Sequence, residues 1–225
     1  RKNTRDPYHD MSFDLRNYWG SIRILKNKIP SWKQVHTIIY DFDGVFTDNS
    51  VYIDQEGSES VRCSRSDSLG IKILNSFLKI KEININQFIL STEKNEVVKK
   101  RADKLKIKCF NGIDNKIDFI KKYLKTNYEN ENSKEKGIIY LGNDLNDLAA
   151  MKYCGYSIAP SDAHYKIKKS CDLVLENKGG DGFIRQFIEE FIGKPYDNWL
   201  RTAAIYYFQE FGNKGIFNIS NIKKK

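Results

Sequence analysis

Asp41 and Asp43, in the stretch Asp41-Phe42-Asp43-Gly44-Val45-Phe46-Thr47-Asp48, are the residues of this chain best placed to do chemistry. The apolar run Thr37-Ile38-Ile39-Tyr40 precedes them and reads as a buried strand. Side-chain direction repeats every two residues along a strand, so both carboxylates can face one site. Gly44 then lets the chain turn sharply. One such carboxylate can attack a phosphoryl group, the other can carry a proton, and the pair suits a hard cation. The same Asp-x-Asp-Gly spacing also occurs in turns and calcium loops, so the rest of the chain has to decide between them.

Phosphoryl transfer needs a nucleophile, a cation against the phosphate charge, donors to the equatorial oxygens and a proton shuttle. Further candidates follow further apolar runs. Phe88-Ile89-Leu90 ends in Ser91-Thr92, a pair of hydroxyl donors. Lys116 opens a helical stretch after Asn111-Gly112-Ile113-Asp114-Asn115. Gly137-Ile138-Ile139-Tyr140-Leu141 runs into Gly142-Asn143-Asp144-Leu145-Asn146-Asp147, a cluster of oxygen ligands. Each has a plainer reading: Ser91 and Thr92 as helix caps, Lys116 as one lysine of many, the Asn/Asp cluster as a loop and cap. Their order along the chain, with a strand before three of them, is what the plainer readings do not explain.

The elements that must position these residues alternate. Strands are expected at Thr37–Tyr40, Gln87–Leu90, Ile107–Phe110, Gly137–Leu141, Tyr156–Ala159 and Leu173–Leu175, with helical segments between most of them. Glu93–Leu105 places Val97, Val98, Ala102 and Leu105 on one helical face. Phe183, Ile184, Phe187, Ile188, Phe191 and Ile192 form a helical stripe that reads as core or subunit interface. The pattern predicts an α/β fold: a Rossmann-like parallel sheet with helices on both faces. One segment breaks the alternation. Ser50–Asp54 and Glu59–Cys63, joined by Gln55-Glu56-Gly57-Ser58, read as a β-hairpin able to cover the Asp pair. The expected organisation is a tail or linker over 1–35, the main domain over 36–193 with the hairpin at 50–63, and a helical extension over 194–225. Arg1 is not an initiator Met, and the expectation is a chain processed or cut from something longer.

Composition narrows the field. The net charge of +9 over 225 residues admits nucleic acid or an anionic small molecule as partner. The lysines are spread along the chain and no helix-turn-helix, zinc-finger or RNP pattern accompanies them, so nucleic acid is not expected. No run of about 18 apolar residues suggests a membrane span. Cys63, Cys109, Cys154 and Cys171 lack Cys-x-x-Cys spacing and read as reduced thiols of a cytoplasmic protein.

Taken in order, the motifs resemble the haloacid dehalogenase superfamily of phosphohydrolases. The resemblance spans about residues 36–193. Within it the chain is similar to the small-cap branch that dephosphorylates 3-deoxy-octulosonate 8-phosphate and nonulosonate 9-phosphates of sialic-acid type. Asp41–Asp48, Ser66-Asp67-Ser68-Leu69-Gly70, Leu90-Ser91-Thr92-Glu93-Lys94 and Arg101-Ala102-Asp103-Lys104-Leu105 carry it, followed by Asn115-Lys116, Gly142–Asp147, Pro160-Ser161-Asp162-Ala163-His164 and Gly179-Gly180-Asp181-Gly182.

The resemblance implies Asp41 as nucleophile, Asp43 as proton shuttle, and Ser91 and Lys116 as holders of the phosphoryl group. It implies Mg²⁺ on Asp41, the main-chain carbonyl of Asp43 and a side chain of the Gly142–Asp147 loop. Relatives mostly carry Asp directly after that glycine; this chain has Asn143, so either Asn143 or Asp144 is the ligand. Substrate contacts fall to Asp67, Ser68, Thr92, Glu93, Arg101, Gly180 and Gly182, with Glu93 and Arg101 pointing to nonulosonate 9-phosphates. The resemblance further implies a homotetramer in which a hairpin and a neighbour's Gly-Gly-x-Gly segment complete each site. The Ser-Thr-Glu form also resembles phosphatase-like modules of CMP-sialate synthetases, which implies a cytidylyltransferase as fused or separate partner. A non-catalytic assembly module of such a synthetase is the alternative, and the intact Asp41, Asp43, Ser91 and Lys116 favour an active phosphatase.

Overall fold

The computed structural model describes residues 29–130 and 132–192. Most of the expected tail and all of the expected C-terminal extension, including a helix near 198–211, lie outside the described residues. The last part of the expected tail packs onto the domain: Trp32 meets Phe77 edge to face at 5.9 Å, and Val35 is buried.

Six strands form one parallel sheet: β1 (Thr37–Tyr40), β4 (Asn86–Leu90), β5 (Lys108–Phe110), β6 (Ile138–Leu141), β7 (Tyr156–Ala159) and β8 (Leu173–Val174). β2 (Thr47–Ile53) and β3 (Glu59–Cys63) pair separately as the antiparallel hairpin. The sheet order is β5-β4-β1-β6-β7-β8. The chain therefore builds outward from β1 on one side, returns to β1's other edge, and builds outward again. Open α/β sheets bind ligands at such a reversal, beyond the carboxyl ends of the strands.

β1, β6 and β7 are buried along their whole length, because helices cover both faces. Alternate residues feed two cores. Ile38, Tyr40, Ile89, Ile139, Leu141 and Ile158 pack with α1 (Arg65–Ile80), α2 (Glu96–Leu105) and α6 (Phe183–Ile192). Ile39, Phe88, Leu90, Ile138 and Tyr140 pack with α3 (Lys116–Asn127), α4 (Leu148–Tyr153) and α5 (Tyr165–Ser170). The six-residue stripe of α6 is buried throughout and lies in the first of these cores, so within this chain it is core.

Element ends differ from the sequence expectation where side chains compete for the backbone. α2 starts at Glu96 rather than Glu93, because Asn95 caps it by accepting the Val97 N–H at 3.0 Å. The hairpin starts at Thr47, three residues early, and its pairing slips between Thr47 and Val51. All four cysteines are free thiols. Among the described residues no helix is long and apolar enough to cross a membrane.

Candidate active site

The loops after β1, β4 and β6 converge. The Asp41 N–H donates to Leu141 O at 2.9 Å, extending the β1–β6 ladder by one bond and fixing Asp41 level with the start of the β6 loop. Gly44 turns at a φ of 73°. Thr47 Oγ1 accepts the N–H of both Gly44 and Asn49, at 3.1 and 3.2 Å, and so joins the Asp41–Asp43 turn to the hairpin.

Beneath this turn lies a buried ionic network. Lys116 Nζ, at the first turn of α3, donates to Asp41 Oδ1 at 2.6 Å and Asp147 Oδ1 at 2.7 Å. Asp147 Oδ1 also accepts the Tyr140 hydroxyl at 2.8 Å. Its other oxygen accepts the N–H groups of Asn143 and Asp144, at 3.0 and 3.3 Å. One buried carboxylate thus sets both the lysine and the β6 loop, as a buried charge must be multiply bonded to be tolerated.

Electrostatics follow from this burial. Desolvation pulls the Lys116 pKa down, but Asp41 and Asp147 overcome it and leave the ammonium more firmly protonated than usual. Burial, and next the Asp147 charge, push Asp41 upward against the opposing Lys116. Asp43 is also raised, first by burial and next by the Glu93 carboxylate, with Lys116 acting against them. An acid held protonated above its ordinary range can donate to a leaving oxygen.

Asp41, Asp43, Asn143 and Asp144 line a cleft of about 280 Å³, together with Asn49, Thr92 and Asn146. Asn143 is buried, and its Oδ1 has no hydrogen-bond partner. Asp144 is exposed and spends a carboxylate oxygen on the Leu145 N–H at 2.7 Å. Among the described residues no three His, Cys, Asp or Glu side chains cluster around a common metal position. An unpaired buried amide oxygen beside Asp41 nevertheless fits a hard divalent cation, which also accepts neutral oxygen donors.

Ser91 is buried and follows β4 directly. Its Oγ accepts the Glu93 N–H at 3.0 Å, and Asn95 rather than Ser91 or Thr92 caps α2. Glu93 Oε1 accepts the N–H groups of Lys94 and Asn95, at 2.7 and 2.8 Å, so its charge is anchored beside Asp43.

The other predicted substrate residues gather elsewhere. Asp67 is fully buried and accepts the Arg185 N–H at 2.9 Å and the Gly182 N–H at 3.3 Å, holding the start of α6. Arg101 donates to Ser64 O at 3.0 Å and to Ser68 Oγ, while its Nε is buried without a partner. Gly180 packs against the backbone of the Asp41–Asp48 turn: a Cβ there would meet Thr47 C at 2.3 Å. Its N–H donates to Val45 O at 3.1 Å, so within one chain the Gly179–Gly182 segment braces the Asp41–Asp48 turn from behind. None of these five lines the cleft. Asn49 and Tyr140 are the residues that sequence reasoning missed; Asn146 lay in the Gly142–Asp147 cluster of oxygen ligands without a role of its own. Asn49 carried only a weak signal, a turn-prone residue just before the expected first hairpin strand.

Comparison with known proteins gives the family. Residues 21–187 match the model of the haloacid dehalogenase-like hydrolases. The 3-deoxy-D-manno-octulosonate 8-phosphate phosphatase of Haemophilus influenzae is 30% identical over 159 residues, covering 68% of this chain and 81% of that protein. Its cobalt-bound structure superposes with a TM-score of 0.63 at 27% identity, over 77% of this chain and 98% of that one. A HAD-family protein of Streptomyces avermitilis superposes with a TM-score of 0.66 at 34% identity, over 73% of this chain and 89% of that one. The chain belongs to the haloacid dehalogenase-like hydrolase family, and its similarity runs to that family's octulosonate-phosphate phosphatases.

Proposed function

We propose that this chain is a Mg²⁺-dependent phosphoric monoester hydrolase that removes the phosphate of a sugar acid through an aspartyl-phosphate. The observation that carries the reading is Asp41, held by Lys116 at 2.6 Å and lining a cleft with Asp43 and the unpaired Asn143 oxygen. An Asp41 oxygen attacks phosphorus, and the bond from phosphorus to the sugar oxygen breaks. Asp43, with its raised pKa, gives its proton to that leaving oxygen. Asp43 then takes a proton from the water that attacks the aspartyl-phosphate, which releases inorganic phosphate and restores Asp41. Lys116 and Ser91 hold the phosphoryl oxygens.

Asp41, the Asp43 main-chain carbonyl and the Asn143 amide oxygen would hold the cation. Asn143 is assigned over Asp144 because its oxygen is buried and unpaired. When bound, Mg²⁺ offsets the phosphate charge as it is transferred. The cobalt form of the Haemophilus influenzae relative supports a divalent metal at this kind of site.

Octulosonate 8-phosphate is the substrate supported by the relatives. The motif resemblance at Glu93 and Arg101 points instead to a nonulosonate 9-phosphate; Glu93 is anchored beside Asp43, whereas Arg101 lies outside the cleft of one chain. Assembly into a tetramer is supported by the hairpin, which exposes Val51, Tyr52 and Ile53 at 51%, 58% and 67%. A cytidylyltransferase partner and a cytoplasmic setting rest on the motif resemblance and the cysteine pattern.

The test measures phosphate release from p-nitrophenyl phosphate, octulosonate 8-phosphate and nonulosonate 9-phosphates, with and without Mg²⁺. Metal-dependent release with one ulosonate preferred is expected. No release from any ester in Mg²⁺ would contradict the phosphatase reading and favour a non-catalytic assembly module.

A further inference from the structure

Asn49 lies where the hairpin loses its register, between Thr47 and Val51, at a φ of 63°. Residues other than glycine occupy that left-handed region at a cost, and a bulge there re-aims a side chain. The backbone of Asn49 is pinned, since its N–H donates to the same Thr47 Oγ1 that holds the Gly44 N–H. Its exposed side-chain amide lines the cleft that contains Asp41 and Asp43. Thr92 and Asn146 bring two further neutral hydrogen-bonding side chains to that cleft. The charged side chains lining it are all carboxylates, Asp41, Asp43 and Asp144. Beyond the phosphoryl position the cleft therefore offers neutral donors and acceptors, which match hydroxyl groups and not a second anion.

We propose that Asn49 is a specificity residue whose amide binds hydroxyls of the sugar chain next to the phosphate, together with Thr92 and Asn146, and so selects polyhydroxylated leaving groups. This inference rests on the phosphatase reading of the same site. The substrate carboxylate then lies away from this part of the cleft. A group that binds substrate and transition state alike acts through KM rather than kcat.

The experiment compares wild type with Asn49→Gly and Asn49→Asp. Glycine removes the amide and suits the left-handed backbone; aspartate keeps the shape but loses the donor. For each protein, kcat and KM are measured on p-nitrophenyl phosphate and on the ulosonate phosphate that wild type turns over fastest. Asn49→Gly is expected to lower the ratio of kcat/KM for the sugar phosphate over the aryl phosphate by about tenfold, mainly through KM, without lowering Tm. Asn49→Asp is expected to lower the ratio too. A ratio within about twofold of wild type in both variants overturns the inference and leaves the phosphatase reading intact, since each change removes a bond worth about tenfold. Failure of wild type to hydrolyse either ester overturns both.

Discussion

Gly44 stands directly against Asn143: a Cβ built on Gly44 would fall 1.9 Å from Asn143 Nδ2 and 2.5 Å from its Cγ. The turn that carries Asp41 and Asp43 and the loop that carries the candidate metal amide therefore touch at the one residue type that leaves room for both. With φ at 73°, Gly44→Ala meets backbone strain as well as this clash. The expected result is a loss of about 1–3 kcal/mol in stability. Because Asn143 must move, a weaker half-saturation by Mg²⁺ accompanies it. Denaturant unfolding and a Mg²⁺ titration of activity check the two effects separately.

Asn143→Asp replaces a neutral oxygen by a charged one at nearly the same volume. Mg²⁺ is expected to bind more tightly, and added negative charge beside Asp41 to slow attack on a phosphate ester. Titration calorimetry reads the affinity without depending on turnover. An unchanged or weaker affinity would show that Asn143 does not ligate the metal.

The buried network below Asp41 predicts unequal costs for its members. Asp147→Ala leaves Lys116 with one carboxylate partner and the Asn143 and Asp144 amides with none, and should cost about 3–5 kcal/mol. Tyr140→Phe removes one hydrogen bond at 2.8 Å and should cost about 1 kcal/mol. Chemical denaturation of both variants tests the order. Equal costs would mean that Asp147 is not the junction between lysine and loop.

Burial raises Asp43 first and the Glu93 carboxylate next, so removing the Glu93 charge should lower the Asp43 pKa. In the proposed mechanism protonated Asp43 donates to the leaving oxygen, and that form is lost as pH rises through its pKa. Glu93→Gln should therefore shift the alkaline limb of kcat/KM for the sugar phosphate to lower pH. The amide oxygen can still accept from Lys94 and Asn95, which keeps the turn in place. A pH profile with an unmoved alkaline limb would remove Asp43 from the general-acid role.

The sheet was legible because its strands are short apolar runs ending in polar residues. Thr37–Tyr40 and Tyr156–Ala159 match their expected bounds, and the other four strands begin or end within one residue of them. The α6 stripe was legible as an apolar face, but its helical period is the same whether the face meets its own sheet or another subunit. Asp41, Asp43, Thr92, Asn143 and Asp144 meet at one cleft because each lies at or just beyond a strand end. What escaped was long-range. Asp67 sits in a motif beside α1's start, yet its carboxylate serves amides more than 110 residues away. Tyr140 reads as an ordinary core strand residue until its hydroxyl is seen to reach Asp147. The slip that places Asn49 in the cleft is a matter of register, which composition does not encode.

The proposed mechanism requires Asp41 to form a covalent bond to phosphorus. Asp41→Asn keeps the side-chain volume and still accepts a hydrogen bond from Lys116. Phosphate release should therefore fall to background in a protein whose circular dichroism spectrum matches wild type, on aryl and sugar phosphates alike. Near-normal phosphate release by the folded Asp41→Asn protein would rule out Asp41 as the nucleophile.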